Sequence, residues 1–258
     1  MQPWIPKYRV VLETEPSGPR PHDLVSICVT AFNYERYLGA CLDSLRAQTH
    51  AALDLIVVDD RSEGDRTLAA GERWMKKHAD RFHRCLLVSH LRNQGPSAAR
   101  NTAFSLALSS HVFVIDADNV AYPRAIARLH QAAVSGSFDA TYPQLEHFGD
   151  EHKLGVADIW DGDALYESNY IDVMALVAKS AWERIGGYSH IEEGWEDYDF
   201  WLKCLKHDLD IGFVPEILCR YRVHGKSRTS TDAWAAHEKL KRIIAMRHPR
   251  VGRPSAAS

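Results

Sequence analysis

Residues 24–118 alternate apolar runs of five to eight residues with amphipathic stretches. Leu24 to Ala31, Leu53 to Asp59, Arg84 to Ser89 and Val112 to Asp116 read as strands too apolar to face water on either side. Between the first two, Leu38, Cys41, Leu42 and Leu45 recur at helical spacing and give a helix one apolar face. Leu68 with Met75, and Ala98 with Thr102 and Leu106, mark two further helices. Strand alternating with helix implies right-handed crossovers and an α/β fold with a mostly parallel central sheet flanked by helices. In such sheets ligands gather beyond the carboxyl ends of the strands, so the residues just after each run carry the functional expectation.

Those tips are polar and acidic. They read Thr30-Ala31-Phe32-Asn33, Asp59-Asp60-Arg61-Ser62, Leu91-Arg92-Asn93-Gln94-Gly95 and Asp116-Ala117-Asp118. The aspartates at 116 and 118 suit a hard divalent cation, which takes oxygen ligands and fills the rest of its shell with water and substrate phosphate; the same pair also serves as an ordinary strand cap. Asp60 offers a carboxylate to base or ribose donors, or simply closes a turn. Gly95-Pro96-Ser97 reads as a turn into a helix with Ser97 as cap, a helix start whose N–H groups suit an anion. Arg100, one turn on, is placed to reach a diphosphate. Further along, Glu196-Asp197 opens a helix after Gly194-Trp195. The helix dipole favours a charged Asp197 there, whereas crowding by Glu192, Glu193, Glu196 and Asp199 opposes it; the same two residues also satisfy a first helical turn without any chemistry.

Taken in order, these blocks and the intervening Asn93-Gln94-Gly95-Pro96-Ser97-Ala98-Ala99-Arg100-Asn101 resemble the family 2 glycosyltransferases of the GT-A fold, over about Leu24 to Thr229. The resemblance implies an inverting enzyme that moves a sugar from a nucleotide-diphosphate donor, by family habit a UDP-sugar, to an acceptor hydroxyl in polysaccharide biosynthesis. It places Thr30, Ala31, Phe32, Asn33 and Glu35 along the nucleotide pocket and Asp60 at the base. Asn93, Gly95, Arg100, Asp116 and Ala117 belong to the same donor site, with Trp195 and Glu196 on the substrate side. Asp118 would hold Mn²⁺ or Mg²⁺, His224 of Tyr221-Arg222-Val223-His224 would complete the metal shell, and Asp197 would be the general base. Where the family carries Asp-Asp-Gly-Ser, this chain has Asp59-Asp60-Arg61-Ser62, a departure in the nucleotide-pocket loop.

Two alternatives stay open. A sugar-nucleotide-forming nucleotidyltransferase would want a glycine-rich basic loop after the first strand, where Thr30 to Tyr34 stand instead. A non-catalytic nucleotide-sugar-binding domain would keep the pocket without transfer. Dehydrogenase and P-loop readings lack G-x-G-x-x-G and G-x-x-x-x-G-K.

The second half is expected to hold strands at Ala140 to His147, Asp172 to Ala178 and Ile211 to Tyr221, with helices at Lys179 to Arg184, Glu196 to His207 and Asp232 to Met246. The proline-dense residues 1–22 read as an extended surface leader, 23–230 as the catalytic domain and 231–258 as a terminal helix and tail. Residues 149–170 are the expected acceptor-specificity loop, where Trp160 is a candidate sugar platform. His78, His83, His130 and His152 show no ligand spacing and read as surface residues.

A net charge of -3 gives no footprint for nucleic acid, so an anionic donor must be held by local groups. The five cysteines form no C-x-x-C pair, and no apolar run approaches a membrane span, which together suggest a cytoplasmic protein. The acceptor stays open among a glycan, a lipid-linked molecule and a small molecule, with peripheral membrane association compatible with the second.

Overall fold

The computed structural model describes residues 2–192, 194–225 and 236–252. Its first half builds one parallel sheet. Strand β1 (Tyr8–Glu13) comes first, then β2 (Val25–Ala31), helix α1 (Glu35–Arg46), β3 (Leu53–Asp59), α2 (Thr67–His78), β4 (Arg84–His90), α3 (Pro96–Leu106) and β5 (His111–Asp116). Strands β4, β3, β2 and β5 lie side by side and parallel, with β1 antiparallel on the outer edge of β4. All seven residues of β2, of β3 and of β4 are buried, as a parallel sheet covered on both faces requires. Leu38, Cys41, Leu42 and Leu45 of α1 pack beneath one face with Met75 of α2, while Ala99, Ala103 and Phe104 of α3 cover the other. Truncating a fully buried leucine such as Leu42 to alanine should cost about 2 to 5 kcal/mol.

Two charges in this core, Asp54 and Arg84, form a closed network. Asp54, fully buried in β3, accepts from Ser26 Oγ at 2.6 Å and from Arg84 Nε at 2.9 Å, and Arg84 also reaches the Leu106 carbonyl. Each of these two charges therefore has a partner, which is what makes it tolerable.

The second half extends the sheet with mixed strands. After β6 (Val120–Ala121) and helix α4 (Ala125–Gly136) come β7 (Ala140–Gly149), β8 (Lys153–Leu154), α5 (Gly162–Glu167), β9 (Leu176–Ala178), α6 (Lys179–Arg184), α7 (Glu196–Lys206), β10 (Ile211–Val223) and α8 (His237–Arg247). The full order is β1-β4-β3-β2-β5-β9-β7-β10-β6, with β8 paired to β7. Strand β9 runs antiparallel between β5 and β7 and joins the two parallel groups. The α/β class with a mostly parallel, helix-flanked sheet is as the sequence indicates.

Several local expectations change. The leader does not lie apart from the sheet: the β-branched stretch at Tyr8–Glu13 finds the exposed edge of β4, and the prolines cluster outside it. The strand expected from Asp172 begins only at Leu176, because the Asp172 carboxylate accepts the Met174 N–H at 2.9 Å and turns the chain first. Ser97 is not the cap of α3. Gly95, with φ 82, occupies that position, and the Ser97 hydroxyl donates instead to the Ser189 carbonyl at 2.7 Å. His83 is buried against Ser17 rather than exposed. The expected last helix begins at His237, and its proposed first residues, 232–235, lie outside the described residues.

Candidate functional site

The carboxyl ends of β2 to β5 open onto a single cavity of about 1640 Å³ that continues past α7 to α8. Asp60, Asp118 and Asp197, drawn from three distant parts of the chain, all line it.

At one end sits the β3 tip. Asp60, 3% exposed, accepts the Gly95 N–H at 2.6 Å, the Gln94 N–H at 3.0 Å and His90 Nδ1 at 2.6 Å. The carboxylate thus fastens the loop before α3 to the sheet, which is why the two backbone N–H groups there face Asp60. Phe32, 43% exposed, and Asn33, in left-handed backbone with φ 56, form the adjoining wall. The departure at Arg61 keeps the turn that a glycine would make: Arg61 holds φ 63, and its Nε donates to Glu63 at 2.7 Å.

Arg100 is the hub of the centre. Nearly fully buried, it donates from Nη2 to both oxygens of Asp116 at 3.1 Å and from Nη1 to Glu196 at 3.0 Å. Thr30 Oγ1 makes a further short hydrogen bond to Asp116. Burial works against the guanidinium charge, but the two carboxylates outweigh it and hold the proton firmly. One arginine therefore ties the β5 tip to the start of α7, and Asn101 beside it supports the same junction. The Asn101 Oδ1 accepts Trp182 Nε1 at 3.0 Å and the Tyr188 N–H at 2.8 Å, pinning the Gly186-Gly187 turn.

Asp118 and His224 meet through Oδ2 and Nε2 at 3.1 Å, both 7% exposed. Strand pairing puts them there: Cys219 and Arg220 of β10 pair with Ala121 and Val120, and Arg222 donates to the Asp118 carbonyl and to Asn119 Oδ1. Burial and then the Asp116 charge raise the Asp118 pKa, opposed by the His224 hydrogen bond. Such a carboxylate gains from a cation, and an aspartate and an imidazole with phosphate oxygens suit a Mn²⁺ or Mg²⁺ shell. Among the described residues no group of three or more His, Cys, Asp and Glu side chains forms a cation cage.

Asp197 occupies the first turn of α7, with Oδ1 accepting the Tyr198 N–H at 2.8 Å and Oδ2 accepting Asn169 Nδ2 at 3.0 Å. Burial, then the Glu196 charge, pushes its pKa up to about 6, so desolvation and crowding outweigh the helix dipole. Trp195, just before, holds left-handed backbone at φ 60, a conformation that costs a bulky residue about 1 to 2 kcal/mol.

Two expected site residues stand elsewhere. Glu35 turns outward, accepting the Arg66 N–H at 3.0 Å, because the first turn of α1 packs against the start of α2. Ala117 is fully buried in the core beneath the sheet, since side chains of an extended chain alternate and those of Asp116 and Asp118 take the cavity side. Trp160 packs edge-on to Trp201 and is not a cavity wall. Conversely, Asn169 and Asp172 line the cavity without having been singled out. Asp172 is pushed up to about 7 by burial and then by the Asp197 charge. A polar Asn-Tyr-Ile-Asp stretch before an apolar run was the available signal.

The mostly parallel sheet thus brings acidic residues at its strand tips together on one cavity. A profile described as Glycosyl transferase family 2 matches residues 26–186, and the chain belongs to that family. It is 23% identical over 216 residues to the uncharacterized glycosyltransferase MJ1057 of Methanocaldococcus jannaschii, covering 80% of this chain and 73% of that protein. In fold it resembles S. aureus TarS 1-349 in complex with UDP-GlcNAc, with a TM-score of 0.71, 16% identity, and coverage of 86% of this chain and 66% of that one. It also resembles the mannosyltransferase PcManGT from Pyrobaculum calidifontis in complex with GDP-Man and Mn²⁺, with a TM-score of 0.63, 19% identity, and coverage of 89% and 64%. The chain thus spans about two thirds of these two solved chains. Among the described residues no helix is long and apolar enough to cross a membrane.

Proposed function

We propose that the chain catalyses inverting, divalent-metal-dependent transfer of a sugar from a nucleoside diphosphate, UDP in the first instance, to an acceptor hydroxyl, with Asp197 as general base. The observation that carries this reading is the convergence of Asp60, Asp118 and Asp197 on one cavity. The nucleotide base would lie between Phe32 and the Asp60 end, and the diphosphate between Arg100 and the Asp118–His224 pair. Mn²⁺ or Mg²⁺ held by Asp118 and His224 would offset the charge gathering on the leaving diphosphate.

The acceptor enters from the α7–α8 side. Asp197 takes the hydroxyl proton as that oxygen bonds to the anomeric carbon, and the carbon–oxygen bond to the diphosphate breaks from the opposite face, its electron pair leaving with the nucleotide. A carboxylate raised to about 6 is ionised at neutral pH yet basic enough to share that proton. Arg100 stays paired with Asp116 and Glu196 throughout and keeps the two halves of the cavity in register. The five cysteines, all free and buried, support a reducing, cytoplasmic setting.

The test is to incubate the protein with UDP- and GDP-sugars, Mn²⁺ and a panel of glycan, lipid-linked and small-molecule acceptors, following nucleotide release. Asp197→Asn should lose about 10² to 10⁴ of the transfer rate while nucleotide affinity stays nearly unchanged. Full transfer by that variant would remove the base assignment. Release of pyrophosphate from a nucleoside triphosphate and a sugar-1-phosphate would instead mark a nucleotidyltransferase.

A further inference from the structure

The proposed proton acceptor is held from two sides. Its Oδ1 takes the Tyr198 N–H of its own helix, and its Oδ2 takes Nδ2 of Asn169, the only side chain among the described residues that donates to it. The Tyr198 bond is local to α7, joining adjacent residues. The Asn169 bond is not local. It crosses 28 positions of sequence, from the loop between α5 and β9.

The orientation of that amide is fixed by a second bond. Asn169 Oδ1 accepts the Ile171 N–H at 3.2 Å, so a flipped amide would set two donors face to face at Ile171 and two acceptors face to face at Asp197. Three positions on, Asp172 closes a similar turn onto the Met174 N–H. The loop therefore carries its own hydrogen bonds and needs no ligand to present the amide.

We infer that Asn169 is a positioning residue for the transfer: its amide aims the Asp197 carboxylate into the cavity and stabilises the charged, proton-accepting form. This rests on Asp197 being the base. The donor matters because the surrounding charges are mixed. Glu196 stands beside Asp197 on α7, Asp116 on the β5 tip, Glu167 at the end of α5, Asp172 on the loop itself and Glu192 before α7. Arg100 from α3, His190, and His237 and Lys241 from α8 stand against them. Arg100 is already committed to Asp116 and Glu196, so the Asn169 N–H is the directed contact that Asp197 receives from outside its helix. A bond to the ionised form lowers a carboxyl pKa, and here it opposes the upward push of burial and Glu196.

The experiment titrates the Asp197 side-chain carboxyl by ¹³C NMR in the full chain, without ligand, for wild type, Asn169→Ala and Asn169→Asp. The Asn169→Asp variant keeps the shape and the Ile171 bond but removes the donor. The Asp197 midpoint should rise by about one pH unit in the alanine variant and further in the aspartate variant, where a like charge faces it. The acid limb of kcat/KM for whichever UDP-sugar is turned over should move upward with it, with melting temperatures close to wild type. An unmoved midpoint in both variants, or a rate lowered equally at every pH, would overturn the inference. If Asp197→Asn transfers at full rate, the base assignment falls; the titration still reports separately whether the Asn169 bond acts on Asp197.

Discussion

Asp118 and His224 stand 106 positions apart in sequence and meet at 3.1 Å, brought together because β10 returns antiparallel to the two-residue strand that follows Asp118. A buried carboxylate against a single imidazole is under-neutralised, since Asp116 adds a like charge nearby. The pair should therefore respond to a divalent cation. UDP with Mn²⁺ should raise the melting temperature more than UDP alone, because a ligand that binds only the folded state stabilises it. In Asp118→Ala the metal-dependent increment should vanish while the increment from UDP alone persists; an unchanged increment would exclude Asp118 as a ligand.

A second expectation concerns pH. Asp197 must be ionised to accept a proton, and burial with Glu196 raises its pKa to about 6. The logarithm of kcat/KM should hold level above that value and fall with unit slope as the pH drops through it. An acid limb centred near 4 would mean that Asp197 is not the group being titrated.

Arg100 should be irreplaceable. Removing its charge in Arg100→Met leaves Asp116 and Glu196 facing one another with no counter-ion, and breaking a buried pair typically costs about 3 to 5 kcal/mol. Asp116 keeps part of its side chain in contact with water, so about 2 to 3 kcal/mol is expected in urea unfolding. Arg100→Lys should recover little, because an ammonium cannot span the two carboxylates as the planar fork does.

Asp172 should weaken the fold when it ionises. Its pKa is raised from 3.8 to about 7, so the folded state binds a proton more tightly than the unfolded chain. The contribution of Asp172 to stability is therefore fully present below about 4 and is lost as the pH rises through about 7. Asp172→Asn keeps the acceptor for the Met174 N–H and removes the charge. Its melting temperature at pH 8 should exceed wild type by about 2 to 4 °C, a gain that disappears at pH 4. A lower melting temperature at pH 8 would show that the charge is not a burden.

The strand-tip half of the cavity was legible because parallel strands buried on both faces announce themselves, and their tips must lie at one edge. That geometry located Asp60, Asp116 and Asp118 without any contact information. Ala117 was misread for the converse reason: a block of sequence does not say which of its side chains face the ligand. The edge strand at Tyr8–Glu13 was hidden by prolines that flank it rather than interrupt it. Asn169 and Asp172 were missed because their importance lies in single hydrogen bonds across a loop, which no periodicity encodes.

The last helix adds a different lesson. Asp199, with no exposed surface, accepts Arg247 Nε at 2.7 Å and His248 Nε2 at 2.8 Å, and so clamps the end of α8 to α7. Lys241 and Ile244 of that helix form the cavity wall beyond Asp197. The far wall is thus a separate helical panel, fastened to α7 through Asp199 and seated on the core through Leu240 and Ile244. Exchanging this helix would reshape what the chamber admits beyond Asp197 while leaving the strand-tip end around Asp60 untouched.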